Sequence, residues 1–163
     1  MIFNCQSVQR TQDLAKKLAK NINPGTTISL IGDLGAGKTT FVKGFAMEMG
    51  IKDHVTSPTF KLISEYEGKK YKLNHIDAYR MNGPEDFLNI GGEEYLISKN
   101  SITIIEWGDL LNEILPSKTI RVNFIRIKSP KDIVFIALKV DPIFAGLVVS
   151  ISIILTCVFK FII

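Results

Sequence analysis

The run GDLGAGKT at positions 32–39 constrains this chain more than any other feature in it. It fits G-x-x-x-x-G-K-[ST] through Gly32, Gly37, Lys38 and Thr39, and its flanks supply the context that the pattern requires. Before it, TISLI at 27–31 is a short β-branched run that reads as a buried strand; after it, 38–49 reads as a helix. A chance glycine-rich turn would not come with both neighbours. Backbone N–H groups converge on one phosphate only if the loop enters conformations that a Cβ disfavours, hence glycines at 32, 35 and 37. The loop then hands the anion to a helix N-terminus, where unpaired amides and the helix dipole favour negative charge. Asp33, Gly35, Ala36, Gly37, Lys38, Thr39 and Thr40 are therefore the expected contacts of a bound nucleoside triphosphate, ATP. Lys38 would reach its β- and γ-phosphates, and the Thr39 hydroxyl would be a ligand of Mg2+.

Such a loop implies an α/β fold of three layers around a central, mostly parallel sheet, the arrangement of P-loop NTPases. With 163 residues, 46% of them apolar, the chain has material for one domain with a real core. Ser7 suits the N-cap of an amphipathic helix with Leu14, Leu18 and Ile22 on one face, ended by Asn23-Pro24-Gly25. Residues 60–66 and 70–76 read as a hairpin about Glu67-Gly68-Lys69, and 84–88 and 92–98 as two short helices. SITIIE at 101–106 is a buried-type strand, and strands at 119–128 and 133–140 around Ser-Pro-Lys-Asp complete the domain.

Magnesium and an attacking water need carboxylates opposite the loop, and an apolar strand ending in an acid is a usual way to place one. Glu106 closes SITIIE in that way, and Asp77, within His75-Ile76-Asp77-Ala78-Tyr79-Arg80, is the second candidate. The plain alternatives are a strand-end charge in solvent for Glu106 and a turn residue for Asp77. Thr56-Ser57-Pro58-Thr59 is either a nucleotide-sensing loop or an ordinary one. His54 and His75 stand alone in the sequence and read as structural rather than as metal ligands. The formal charge of +4 permits contact with RNA or acidic lipid without demonstrating it. Two distant cysteines, Cys5 and Cys157, indicate neither a disulfide framework nor a zinc site, and the first residues carry no pattern of a secretory signal, so a cytoplasmic protein is expected.

Taken together, GDLGAGKTTFVKGF, SPTF, HIDAYR and IIEW, in this order, resemble the tRNA threonylcarbamoyladenosine biosynthesis ATPases, the TsaE (YjeE) family. The resemblance runs from about Ser7 to Val140. It implies a small, magnesium-dependent ATPase acting with the threonylcarbamoyl-transferase complex that modifies the adenosine beside the anticodon of certain tRNAs. Its partners would be subunits of that complex, and tRNA only indirectly. Carried over by motif, Lys38 binds phosphate and Thr39 and Glu106 serve magnesium. By the same resemblance Thr59 belongs to a switch-like loop, Asp77 sits with Lys38 and Glu106 at the catalytic centre, and Trp107 lines the nucleotide site. A core tryptophan is the alternative for Trp107.

From 143 to 163 the chain reads IFAGLVVSISIILTCVFKFII, in which Lys160 is the sole charge. The family does not usually carry such a tail, so residues 1–141 are taken as the ATPase domain and 142–163 as an apolar extension. Its length matches the ~20 residues of a bilayer span. One reading is a tail anchor that tethers the domain to the inner face of the membrane, with Lys128, Lys131 and Lys139 keeping it cytoplasmic. The other is an aberrant extension that packs or aggregates. Three other functions compete. A small-molecule kinase needs several arginines around the transferred phosphoryl group, and only Arg80 lies near the motifs. A GTPase lacks its N-K-x-D, and a membrane-tethered nucleotide-dependent scaffold would need no hydrolysis.

Overall fold

The computed structural model describes residues 2–5, 7–127 and 133–139. The boundary at Asp141-Pro142, the apolar segment 143–163 and the 129–132 turn lie outside the described residues. Seven strands form one sheet: β1 (Ile2–Cys5), β2 (Thr27–Ile31), β3 (Ile63–Glu67), β4 (Lys72–Asp77), β5 (Ser101–Glu106), β6 (Ile120–Ile127) and β7 (Ile133–Lys139). Their order across the sheet is β1-β7-β6-β2-β5-β4-β3. The pairings of β2 with β5 and β6, and of β4 with β5, are parallel, whereas β3 on β4, β7 on β6 and β1 on β7 are antiparallel. The sheet is thus mixed. Its parallel part is the four-strand centre, and both margins turn back through antiparallel neighbours.

Strands β2, β4 and β5 of this centre are buried on both faces, as parallel strands covered by helices are. In β5 every residue is buried, with Ile102 and Ile104 in one apolar cluster and Ile105 in the other. The first cluster lies under α1 (Val8–Lys20) and α2 (Lys38–Met49), which pack on each other, and joins Leu14, Leu18, Phe41 and Phe45 to Ile28 and Leu30 of β2. The second joins Ile76 and Ile105 to Phe87 of α3 (Pro84–Asn89) and to Leu111 of a 3-10 turn at Gly108–Leu111, with Tyr95 and Leu96 of α4 (Glu93–Ile97) packed against it. Helices on both faces make three layers.

Local signals account for most boundaries. Ser7 caps α1 by accepting from Arg10 N at 3.2 Å, and Pro84 opens α3. The hairpin of β3 and β4 begins later than its sequence suggests. Leu62 N donates to Pro58 O at 2.6 Å and Leu62 has φ 65°, so 58–62 is a turn, and Phe60 stands in solvent at 87% exposure. The edge strand β1 has four residues and too short a pattern to be read from sequence.

Candidate nucleotide site

The site lies where β2, β4 and β5 all end, on the carboxyl side of the parallel centre. Gly35 and Gly37 have φ of 74° and 102°, and a Cβ at either would meet nothing within 4 Å. Backbone conformation, not crowding, therefore demands glycine there. Gly32 differs, because its Cβ would lie 2.6 Å from Phe124 O of β6. No side chain caps α2, whose N-cap is Gly37, so the first-turn amides remain for an anion.

Lys38 is buried and folds back along the loop, donating to Gly32 O at 2.5 Å and Asp33 O at 2.9 Å, with its ammonium 3.8 Å from the Trp107 ring centre. Burial pushes its pKa below the ordinary lysine value, and attraction to Glu106, Asp77, Asp109 and Asp33 opposes that shift. Trp107 holds a left-handed conformation, φ 58°, which turns the chain sharply after β5; its ring centre lies 5.1 Å from that of Tyr79.

Glu106, 3% exposed, accepts from the Thr39 hydroxyl at 2.8 and 3.1 Å, across 67 positions of sequence. The register of β4 against β5 sets Asp77 opposite Glu106, so both strand-end carboxylates face one cleft. Asp77 is a clasp. Its Oδ2 accepts from Ser57 Oγ and from Thr59 Oγ1 (2.7 Å), and its Oδ1 accepts from Tyr79 N at 3.0 Å. The loop hydroxyls are thereby held at the floor of the cleft. A cavity of about 350 Å³ is lined by the loop from Leu34 to Thr40 together with Ser57, Thr59, Asp77, Tyr79, Glu106 and Trp107.

The structure brings Ala36, Gly37, Lys38, Thr39, Thr40, Asp77, Glu106 and Trp107 to one cavity, with Gly35 in its rim. Asp33, an exposed residue, contributes its carbonyl to Lys38 and does not line the cavity. The solvent-charge reading of Glu106 fails, since its carboxylate is buried, and Asp77 is likewise buried as the last residue of β4, while its Oδ1 also closes the turn to Tyr79. The sequence placed Ser57 only within a candidate loop, and it gave no role to Tyr79 or to the tie of His75 Nε2 to Glu106 Oε1 at 2.8 Å. The alternation His75-x-Asp77 was the available signal, because it sets these two residues on one side of an extended strand; Tyr79 lies in the turn beyond it.

Among the described residues no group of three or more His, Cys, Asp or Glu could cage a metal. Magnesium beside a triphosphate needs no cage, only one or two protein oxygens with phosphates and waters. A hydroxyl and a carboxylate in contact, Thr39 and Glu106, have the chemistry for it.

A parallel centre, a glycine loop in left-handed conformation, an uncapped helix start and a lysine at the loop's end define the P-loop NTPase class. Residues 5–133 match the family described as threonylcarbamoyl adenosine biosynthesis protein TsaE. The chain belongs to that family. It is 40% identical over 114 residues to the tRNA threonylcarbamoyladenosine biosynthesis protein TsaE of Bacillus subtilis, a match covering 70% of each chain. The protein of the same name from Treponema pallidum is 37% identical over 118 residues, 72% of this chain and 86% of that one. A crystal structure of Bacillus subtilis YdiB superposes with a TM-score of 0.78 at 32% identity, covering 93% of both chains.

Proposed function

We propose that this chain binds ATP with magnesium and hydrolyses it, and that this hydrolysis serves threonylcarbamoyladenosine formation in tRNA. The contact of Thr39 with Glu106 carries the chemical half of the reading, because it sets a loop hydroxyl against a strand-end carboxylate beside Lys38. Family membership and the names of the relatives carry the biological half.

In this reading the loop amides and the start of α2 hold the β-phosphate, and Lys38 exchanges the carbonyls of Gly32 and Asp33 for phosphate oxygens. Thr39 and Glu106 hold the cation. Magnesium, when bound, neutralises charge that develops on the β- and γ-phosphates. The oxygen of water bonds to the γ-phosphorus while the bond to the β–γ bridging oxygen breaks, leaving ADP and phosphate. Asp77 serves this step through the Ser57 and Thr59 hydroxyls that it keeps in the cleft. Trp107 and Tyr79 wall the site. Transfer to water is favoured over a kinase reaction, since no arginine lines the cleft among the described residues and Arg80 stacks on Phe60 instead, 4.6 Å from its ring centre.

The partners in this reading are subunits of the threonylcarbamoyl-transferase complex, with tRNA reached through them in the cytoplasm. Tethering to a membrane by 143–163 is a separate proposal; no described helix is long and apolar enough to cross a membrane. The test is reconstitution: the chain added to a partner mixture lacking its ATPase should restore threonylcarbamoyladenosine in tRNA, with ATP consumed. Restoration by the mixture without the chain, or ATP turnover that leaves the tRNA unmodified, refutes the reading.

A further inference from the structure

His75 is fully buried in β4, and its Nε2 lies 2.8 Å from Glu106 Oε1, while its Nδ1 has no hydrogen-bond partner among the described residues. A carboxylate accepts and has no hydrogen to give, so the hydrogen of this contact sits on Nε2 and His75 donates to Glu106. The sheet register makes the contact: His75 pairs with Ile104, two residues before Glu106 on the neighbouring parallel strand. Ring and carboxylate therefore share one face of the sheet.

Glu106 cannot be oriented by Thr39 alone. That one hydroxyl lies 2.8 and 3.1 Å from the two carboxylate oxygens, and with a single hydrogen to give it does not tell them apart. His75 touches only Oε1 and is itself immobilised by the core. It therefore breaks the symmetry of the carboxylate. We propose that His75 is a positioning residue for Glu106, holding Oε1 so that Oε2 stays turned toward the cation that accompanies the nucleotide. This rests on the reading of Thr39 and Glu106 as the oxygen pair for magnesium. Partners behind a ligand commonly govern metal affinity by 10–100-fold, in order of magnitude.

The experiment uses three variants of the full chain, His75→Gln, His75→Asn and His75→Phe. A glutamine amide reaches roughly where Nε2 lies and can donate to Glu106; an asparagine amide stops short, and phenylalanine keeps the ring without a donor. The readout is binding of a non-hydrolysable ATP analogue, followed by fluorescence of Trp107, the chain's one tryptophan, as magnesium is titrated. The same titration of the analogue is repeated in excess chelator. The expected result is a rise of about tenfold or more in the magnesium needed for half-saturation in Asn and Phe. Gln should recover most of it, and metal-free nucleotide affinity should be unchanged in all three. If Phe does not fold, the contrast of Asn with Gln decides. Asn titrating like the unmutated chain, or metal-free affinity falling in parallel with the magnesium response, overturns the positioning role. If the unmutated chain shows no magnesium response at all, the cation reading of Thr39 and Glu106 falls first and takes this proposal with it.

Discussion

Replacing Lys38 by alanine separates what the lysine does for phosphate from what it does for the fold. In the folded chain it donates to Gly32 O and Asp33 O and stacks on Trp107. Hydrogen bonds from a charged group contribute about 1.5–3 kcal/mol each, and a cation over an indole about 0.5–2 kcal/mol. Two effects offset that loss. Gly32 is half-buried and Asp33 exposed, so the freed carbonyls rehydrate, and the desolvation that lowers the Lys38 pKa is relieved. The net change in stability should stay within about 2 kcal/mol, a shift in Tm of no more than about 8 °C. Turnover responds differently, because the charge on the transferred phosphoryl group loses a preorganised partner worth about 2.7–4 kcal/mol, or 10²–10³ in kcat. Thermal unfolding by circular dichroism, with phosphate release measured in the same preparation, tests both numbers. A variant that melts normally and still turns over ATP within a factor of a few of the unmutated chain would refute Lys38 as the phosphate-binding lysine.

Three further outcomes are expected. Glu106→Gln keeps the shape and an acceptor for Thr39 but removes the charge, and should raise the magnesium requirement of turnover at least about tenfold; an unchanged requirement places the cation elsewhere. Gly44→Ala would set a Cβ 2.5 Å from the Cα and carbonyl oxygen of Gln12, where α1 crosses α2. Overpacking of about 1–3 kcal/mol should outweigh the ~1 kcal/mol that alanine gains in a helix, giving a lower Tm in thermal denaturation, and an unchanged Tm would show that α1 yields freely. A chain ending after Asp141 keeps every described strand and should remain folded, bind ATP, and be more soluble than the full chain in sedimentation assays. Loss of nucleotide binding in that truncation would make the apolar segment part of the core.

Much of the phosphate-binding half was legible because its determinants are local. The positive φ of Gly35 and Gly37, the run of β-branched residues before the loop and the uncapped start of α2 each follow from side chains within a few positions. Glu106 was legible for a similar reason, as the acid that ends the isoleucine-rich run SITIIE. The other half was decided by pairing. Which strand lies beside β5, and in which register, depends on contacts between residues far apart in sequence, and that register alone puts Asp77 opposite Glu106 and His75 within reach of its carboxylate. The same holds for Ser57 and Thr59: the sequence left their loop open between a nucleotide-sensing role and an ordinary one, and only the folded chain brings both hydroxyls onto Asp77. By itself the sequence determined the glycine loop and the uncapped start of α2, since backbone conformation is set by near neighbours. Only the tertiary structure decided which carboxylates, and which histidine behind them, would face that helix start, since strand register is a property of the assembled sheet.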